Sequence, residues 1–174
     1  MLTGPIEGRF VQFLVYALRA RRVLELGTYS GYSAISMAAV LPPDGHIDTC
    51  EVDETHAAVA RRYLDEAGYG DRVTVHVGPA LETIERLAGE FDFVFVDADK
   101  ANYVVYLDAL LPRLAEGGLM AFDNTLWSGK VLEPDDSPET QAIRSLNDRI
   151  ASDPAVVAVQ LTVRDGVTLV RRAA

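Results

Sequence analysis

From Val23 onward, short apolar runs of β character alternate with longer stretches of helical spacing, which restricts the chain to an α/β fold built on a parallel sheet. The strand runs are 22–27, 46–52, 72–77, 91–97 and 118–123. Each is a short apolar run that suits a sheet covered by helices on both faces. Between them, 33–41, 54–67, 80–88 and 103–114 carry the spacing of crossover helices, with Gly68, Gly89 and Gly117 as stops.

After Asp123 the pattern changes. A turn-rich stretch around Pro134, Asp135, Asp136 and Pro138 leads to a helix at 139–152, followed by two β segments, 156–163 and 167–171. Arg164-Asp165-Gly166 joins them, and Asp-Gly between β runs predicts an antiparallel hairpin. Residues 1–20 read as an amphipathic helix whose Phe10, Phe13, Leu14 and Ala17 face the sheet. With 174 residues, 49% of them hydrophobic, the chain reads as one domain: a 1–20 helix, a 22–123 core, and a 124–174 loop, helix and hairpin.

Charge excludes several partners. Twenty-six acids against 16 bases leave a formal charge of −10, which repels nucleic acid and anionic membrane surfaces. Cys50 is the single cysteine, so no intramolecular disulfide or thiolate zinc cage is available. No apolar run approaches the ~18 residues of a membrane span. The first residues lack the basic start and apolar core of a signal peptide. A cytoplasmic setting is expected.

Four acids, Glu25, Glu51, Asp97 and Asp123, fall at or near the carboxyl ends of the strand runs, where ligands collect in open α/β sheets. One such acid is commonly a solvated loop residue or a helix cap; four in register point to a ligand site. The first run passes through Glu25-Leu26-Gly27-Thr28-Tyr29-Ser30-Gly31-Tyr32-Ser33, a glycine turn opening a helix. Its spacing is not G-x-G-x-x-G, and Glu25 would repel a pyrophosphate. An acid so placed suits a cationic ligand, and S-adenosylmethionine carries an ammonium and a sulfonium but no phosphate. Glu51 is placed to accept hydrogen bonds from ribose hydroxyls.

The fourth and fifth runs end in Val96-Asp97-Ala98-Asp99-Lys100 and Phe122-Asp123-Asn124. As neighbours, they offer Asp97, Asp123 and Asn124 as oxygen ligands for a hard cation such as Mg²⁺; helix capping by the acids is the plainer alternative. Of 16 basic residues only Lys100 and Lys130 are lysines, and both fall near this set. A lysine beside a divalent cation has its charged form disfavoured and becomes a general-base candidate, the alternative being a surface ion pair with Asp97 or Asp99. His46, His56 and His76 show no i, i+4 pair and read as structural, and Cys50 reads as core. Trp127 either walls an aromatic-binding pocket or half-buries as loop packing.

Four segments now stand in order: Leu24-Glu25-Leu26-Gly27-Thr28-Tyr29-Ser30-Gly31-Tyr32-Ser33, Gly78-Pro79-Ala80-Leu81, Val96-Asp97-Ala98-Asp99-Lys100-Ala101-Asn102-Tyr103 and Asp123-Asn124-Thr125-Leu126-Trp127-Ser128-Gly129. The set resembles the cation-dependent O-methyltransferases, the family of the caffeoyl-CoA and catechol enzymes, from Thr3 to Arg172. The resemblance implies a single-domain class I methyltransferase fold, Rossmann-like, with a seven-stranded, mostly parallel sheet, one antiparallel strand and helices on both faces. It implies cofactor contacts at Thr3, Glu25, Gly27, Thr28, Tyr29, Ser33, Glu51, Ala80, Asp97 and Asp99, and metal ligands at Asp97, Asp123 and Asn124. Substrate contacts fall at Asp97, Lys100, Trp127 and Ser128, with Lys100 as general base and Asp97 as its catalytic partner. Ser128 stands where the plant caffeoyl-CoA enzymes have an asparagine, so a CoA-ester acceptor does not follow.

The activity implied is methyl transfer from S-adenosylmethionine to one hydroxyl of a catechol-like small molecule, with Mg²⁺, Mn²⁺ or Ca²⁺ as cation. A metal-independent small-molecule methyltransferase and a catalytically weak cofactor-binding module are the competing expectations. Family members carry further helices before the segment corresponding to 1–20. An open acceptor pocket with modest discrimination is therefore expected, with a homodimer supplying cover through the 1–20 helix or the loop near Trp127.

Overall fold

The computed structural model describes residues 3–173, so Met1 and Leu2 of the expected first helix lie outside the described residues. The elements run α1 (Gly4–Leu18), β1 (Arg22–Leu26), α2 (Tyr32–Ala38), β2 (His46–Glu51), α3 (Glu54–Glu66), β3 (Val73–Val77) and α4 (Ala80–Arg86). They continue as β4 (Phe91–Val96), α5 (Tyr103–Leu110), β5 (Leu114–Asp123), α6 (Pro138–Ser152), β6 (Val156–Leu161) and β7 (Val167–Arg172). Seven strands form one sheet in the order β3-β2-β1-β4-β5-β7-β6. β1 to β5 are parallel, and β7 runs antiparallel to both β5 and β6, as the Asp165-Gly166 turn predicts.

The alternation of side chains along each strand splits the core in two. Leu24, Leu26, Val94, Val96 and Phe122 pack under α4, α5 and α6, while Val23, Ile47, Phe93, Phe95 and Ala121 pack under α1, α2 and α3. This explains the apolar runs of the central strands β1, β4 and β5, whose two faces are covered, whereas the edge strands β3 and β6 keep exposed positions. Local signals set the boundaries. Asp53 caps α3 by accepting from the backbone N–H of Thr55 and His56 at 2.7 and 3.0 Å. Pro138 opens α6 behind Ser137, whose hydroxyl accepts from Thr140 N.

Three expectations need correction. The helix expected over 103–114 stops at Leu110, because Pro112 removes a donor and turns 111–113 into a 3-10 segment. The fifth strand starts at Leu114, with a register shift opposite Phe91 and Phe93, so Gly117 lies inside a strand. Gly118 fits there because a Cβ would come within 2.9 Å of the Phe91 carbonyl oxygen. The third concerns α1. Its buried stripe is Glu7, Gly8, Val11 and Val15, whereas Phe13 is 63% exposed and Phe10 and Leu14 are only partly covered. Gly8 decides the rotation: a Cβ would sit 2.7 Å from the Tyr32 ring, so only the glycine side of α1 can approach α2 this closely.

Candidate active site at the carboxyl ends of the strands

The sheet order reverses between β1 and β4, whose chains turn away in opposite directions, and a cavity of about 610 Å³ opens over that point. Gly27 makes the junction possible. It has φ +98°, and a Cβ would lie 2.0 Å from the Asp97 carbonyl oxygen. Its N–H and that of Thr28 both donate to the Cys50 carbonyl, which draws the turn onto β2.

On the β1–β3 side, hydrogen bonds hold the acids in place. Glu51 accepts from Tyr29 N at 2.7 Å and from Asp53 N at 3.0 Å, so its carboxylate is fixed at the cavity wall. Thr49 donates to Glu25 at 2.5 Å and lies 2.5 Å from the Thr28 hydroxyl. Glu25 is fully buried and one of its oxygens has no partner; burial pushes its carboxyl up to about 7, against the pull of Ser33 and Thr49. Beyond the end of β4, Asp99 accepts from Tyr106 at 2.5 Å and from Asn102 at 2.6 Å.

The β4–β5 side gathers charge. Lys100 Nζ donates to Asp97 at 3.1 Å and to the Tyr103 hydroxyl at 2.6 Å. Tyr103 in turn reaches the Val96 and Asp123 carbonyl oxygens at 3.3 and 3.2 Å. Burial lifts the Asp97 carboxyl to about 6; Lys100 opposes the shift and Asp123 adds to it. Below this corner lies a hollow of about 30 Å³, ringed by Thr3, Glu7, Asp97, Asp123, Asn124, Arg164 and Asp165. The loop beyond β5 is bent by left-handed residues at Asn124, Trp127 and Ser128, and the β6–β7 turn pins it: Thr125 N and Leu126 N donate to the Gly166 and Asp165 carbonyls.

Two carboxylates and an amide oxygen around a small hollow fit a hard cation that keeps part of its water, as Mg²⁺ does. Among the described residues, no three acidic, histidine or cysteine side chains converge closely enough to hold a metal ion by themselves. The donor set is therefore the mixed one, with open positions.

Of the residues singled out from the sequence, Thr3, Gly27, Thr28, Tyr29, Ser33, Glu51, Ala80, Asp97, Asp99, Lys100, Asn124 and Trp127 line the one cavity. Glu25 lies behind its wall, Asp123 faces the smaller hollow, and Ser128 is exposed, tied by its N–H to Asp165 at 2.5 Å. Lys130 does not join Lys100: it reaches out to Asp135 at 3.6 Å and stays half exposed. His46 and His76 are structural, bonded to Thr74 and Asp48 at 2.9 and 2.8 Å. His56, expected to be structural, instead lines the cavity edge-on to Tyr29 at 4.8 Å. Cys50 also touches the cavity, with burial pushing its thiol up to about 12, which disfavours the thiolate.

Sequence reasoning missed Asn102, Tyr106 and Glu7. Asn102 and Tyr106 follow Asp99 by three and seven residues, a helical spacing that puts them on its face. Glu7 is an acid in the stripe that continues with Val11 and Val15, which is where a buried functional acid would show itself.

The sequence pattern of the O-methyltransferase family matches residues 1–173. Caffeoyl-CoA O-methyltransferase 2 of Zea mays is 40% identical over 185 residues, covering 99% of this chain and 70% of the relative. The O-methyltransferase from Bacillus cereus, solved with S-adenosylhomocysteine, is similar at a TM-score of 0.90 and 35% identity, over 97% of this chain and 82% of that one. TomG from Streptomyces achromogenes, an O-methyltransferase of tomaymycin synthesis solved with S-adenosylmethionine, gives a TM-score of 0.88 at 33% identity, over 97% of this chain and 80% of that one.

Proposed function

The chain belongs to the O-methyltransferase family as an S-adenosylmethionine-dependent enzyme, and from that premise we propose that it methylates one hydroxyl of a catechol-like small molecule with the help of a divalent cation. One observation carries the reading. Asp97, Lys100, Asn124 and Trp127 share a single cavity with Thr28, Glu51 and Ala80, so the acidic corner lies within reach of a bound nucleoside. The Zea mays relative is named for caffeoyl-CoA, whose ring bears two adjacent hydroxyls, which supports an acceptor of that class.

When held by Asp97, Asp123 and Asn124, the cation supplies Lewis acidity that favours an ionised acceptor hydroxyl. Glu51 accepts the ribose hydroxyls, with Tyr29 and Asp53 keeping its carboxylate in place. Trp127 flanks the acceptor ring. Lys100 in its neutral form accepts the hydroxyl proton, its nitrogen positioned by Asp97 and Tyr103. An O–CH3 bond then forms as the S–CH3 bond breaks, and alignment of the two reacting atoms is what the shared cavity contributes.

The reading includes a cytoplasmic location and a homodimer. Among the described residues no helix is long and apolar enough to cross a membrane. On α1, Ile6, Phe13 and Tyr16 are 71, 63 and 66% exposed, and such a face suits contact with a second copy. Labelled S-adenosylmethionine offered with catechols, flavonoids and phenolic CoA esters, with and without a chelator, tests the activity. Transfer to adjacent diols that stops on chelation is expected. Undiminished turnover in chelator, or transfer to isolated hydroxyls alone, overturns the reading.

A further inference from the structure

Glu7 stands apart from the other acids of the cavity. It lies on α1, a helix otherwise given to packing, and is 1% exposed. One carboxylate oxygen is anchored by Arg164 Nη1 at 2.9 Å, from the turn between β6 and β7. The other is buried without a hydrogen-bond partner, at a residue that lines the 30 Å³ hollow with Asp97, Asp123 and Asn124. That hollow is large enough to admit a water. The Asp123 carboxyl lines the same hollow.

A buried acceptor left unpaired implies a partner the protein does not itself provide. The partner is not a cation bound directly, since Glu7, Asp97 and Asp123 do not converge closely enough to hold one. We propose that Glu7 is a positioning residue for the cation corner: its free oxygen accepts a hydrogen bond from a water shared with the cation at Asp97, Asp123 and Asn124. Arg164 keeps the carboxylate turned into the hollow and balances its charge. The arrangement ties the first helix and the last hairpin to the ends of β4 and β5, so the site closes only when both termini of the domain are folded against it. This rests on the cation reading above.

The test is direct titration of the full chain with Mn²⁺, followed by electron paramagnetic resonance of the free ion, beside calorimetry of S-adenosylmethionine binding. Outer partners of metal sites are worth about 10–100-fold in metal affinity. Glu7→Gln keeps the shape and is expected to weaken Mn²⁺ binding by about that factor while cofactor affinity changes less than about twofold. Arg164→Gln should weaken Mn²⁺ in the same sense, and it decides the matter if Glu7→Gln does not fold. Wild-type Mn²⁺ affinity in the folded variant overturns this inference alone. A wild-type chain that binds no Mn²⁺ overturns it together with the cation reading. An equal loss of Mn²⁺ and cofactor affinity marks a packing role and also overturns it.

Discussion

The two halves of the cavity handle negative charge in opposite ways. Over β1 to β3, Glu51 at the wall and its neighbour Asp53 are each satisfied by two backbone N–H groups, and backbone bonds from His56 and Thr55 hold the Asp53 carboxyl below its usual range, while Glu25 behind the wall keeps one unpartnered oxygen. Over β4 and β5, Glu7, Asp97 and Asp123 crowd together with Lys100 and Arg164 as neighbouring cations. There burial, reinforced by like charge, lifts Asp97 to about 6 and raises Glu7 as well, against the pull of Arg164. In the proposed function the first half receives neutral hydroxyls, and its carboxylate is already held by the backbone. The second gathers like charges, and the proposed cation would relieve their repulsion, so affinity there would be built on charge and not on fixed dipoles.

The sharpest break of this comparison is Asp123→Ala. It removes a proposed cation ligand worth several kcal/mol to the transition state, so turnover should fall about 10⁴-fold while cofactor affinity, set in the other half, holds. Loss of both by calorimetry and rate measurement would mean that the halves are not separable. Lys100→Met comes next, with an expected fall of about 10²–10³ in kcat and little change in cofactor affinity. Near wild-type turnover would leave Lys100 as a plain ion-pair partner of Asp97.

Glu51→Ala probes the opposite half. Losing charge-assisted bonds of about 1.5–3 kcal/mol should weaken S-adenosylmethionine by roughly 10–100-fold, with Mn²⁺ affinity unchanged. Unaltered cofactor binding in a folded variant would remove Glu51 from the site. A separate effect is on stability. The Glu25 carboxyl titrates at about 7 in the fold against an ordinary 4.5, so the folded state binds the extra proton between those values. Its contribution is full below about pH 4.5 and is lost as pH rises through about 7, at up to about 1.4 kcal/mol per unit. Glu25→Gln should flatten that limb of the ligand-free protein's Tm against pH, and an unchanged slope would show that the buried acid is compensated elsewhere.

Periodicity and turn chemistry determined the architecture. Short apolar runs alternating with helical spacing pointed to the covered parallel sheet, Asp165-Gly166 to the closing hairpin, and the four acids at the strand ends to the edge where the cavity lies, because each signal spans only a few neighbouring residues. Tertiary structure decided what depends on contacts far along the chain. The rotation of α1 followed from Gly8 against Tyr32, Lys130 turned out to Asp135 while Lys100 turned in, and His56 came to the cavity on the first turn of a helix capped by Asp53. Glu7 is the clearest case. Its role depends on Arg164, 157 residues away, and on Asp123 at the end of another strand. Burial and charge are properties of the assembled space, and no local pattern encodes which acids will share it.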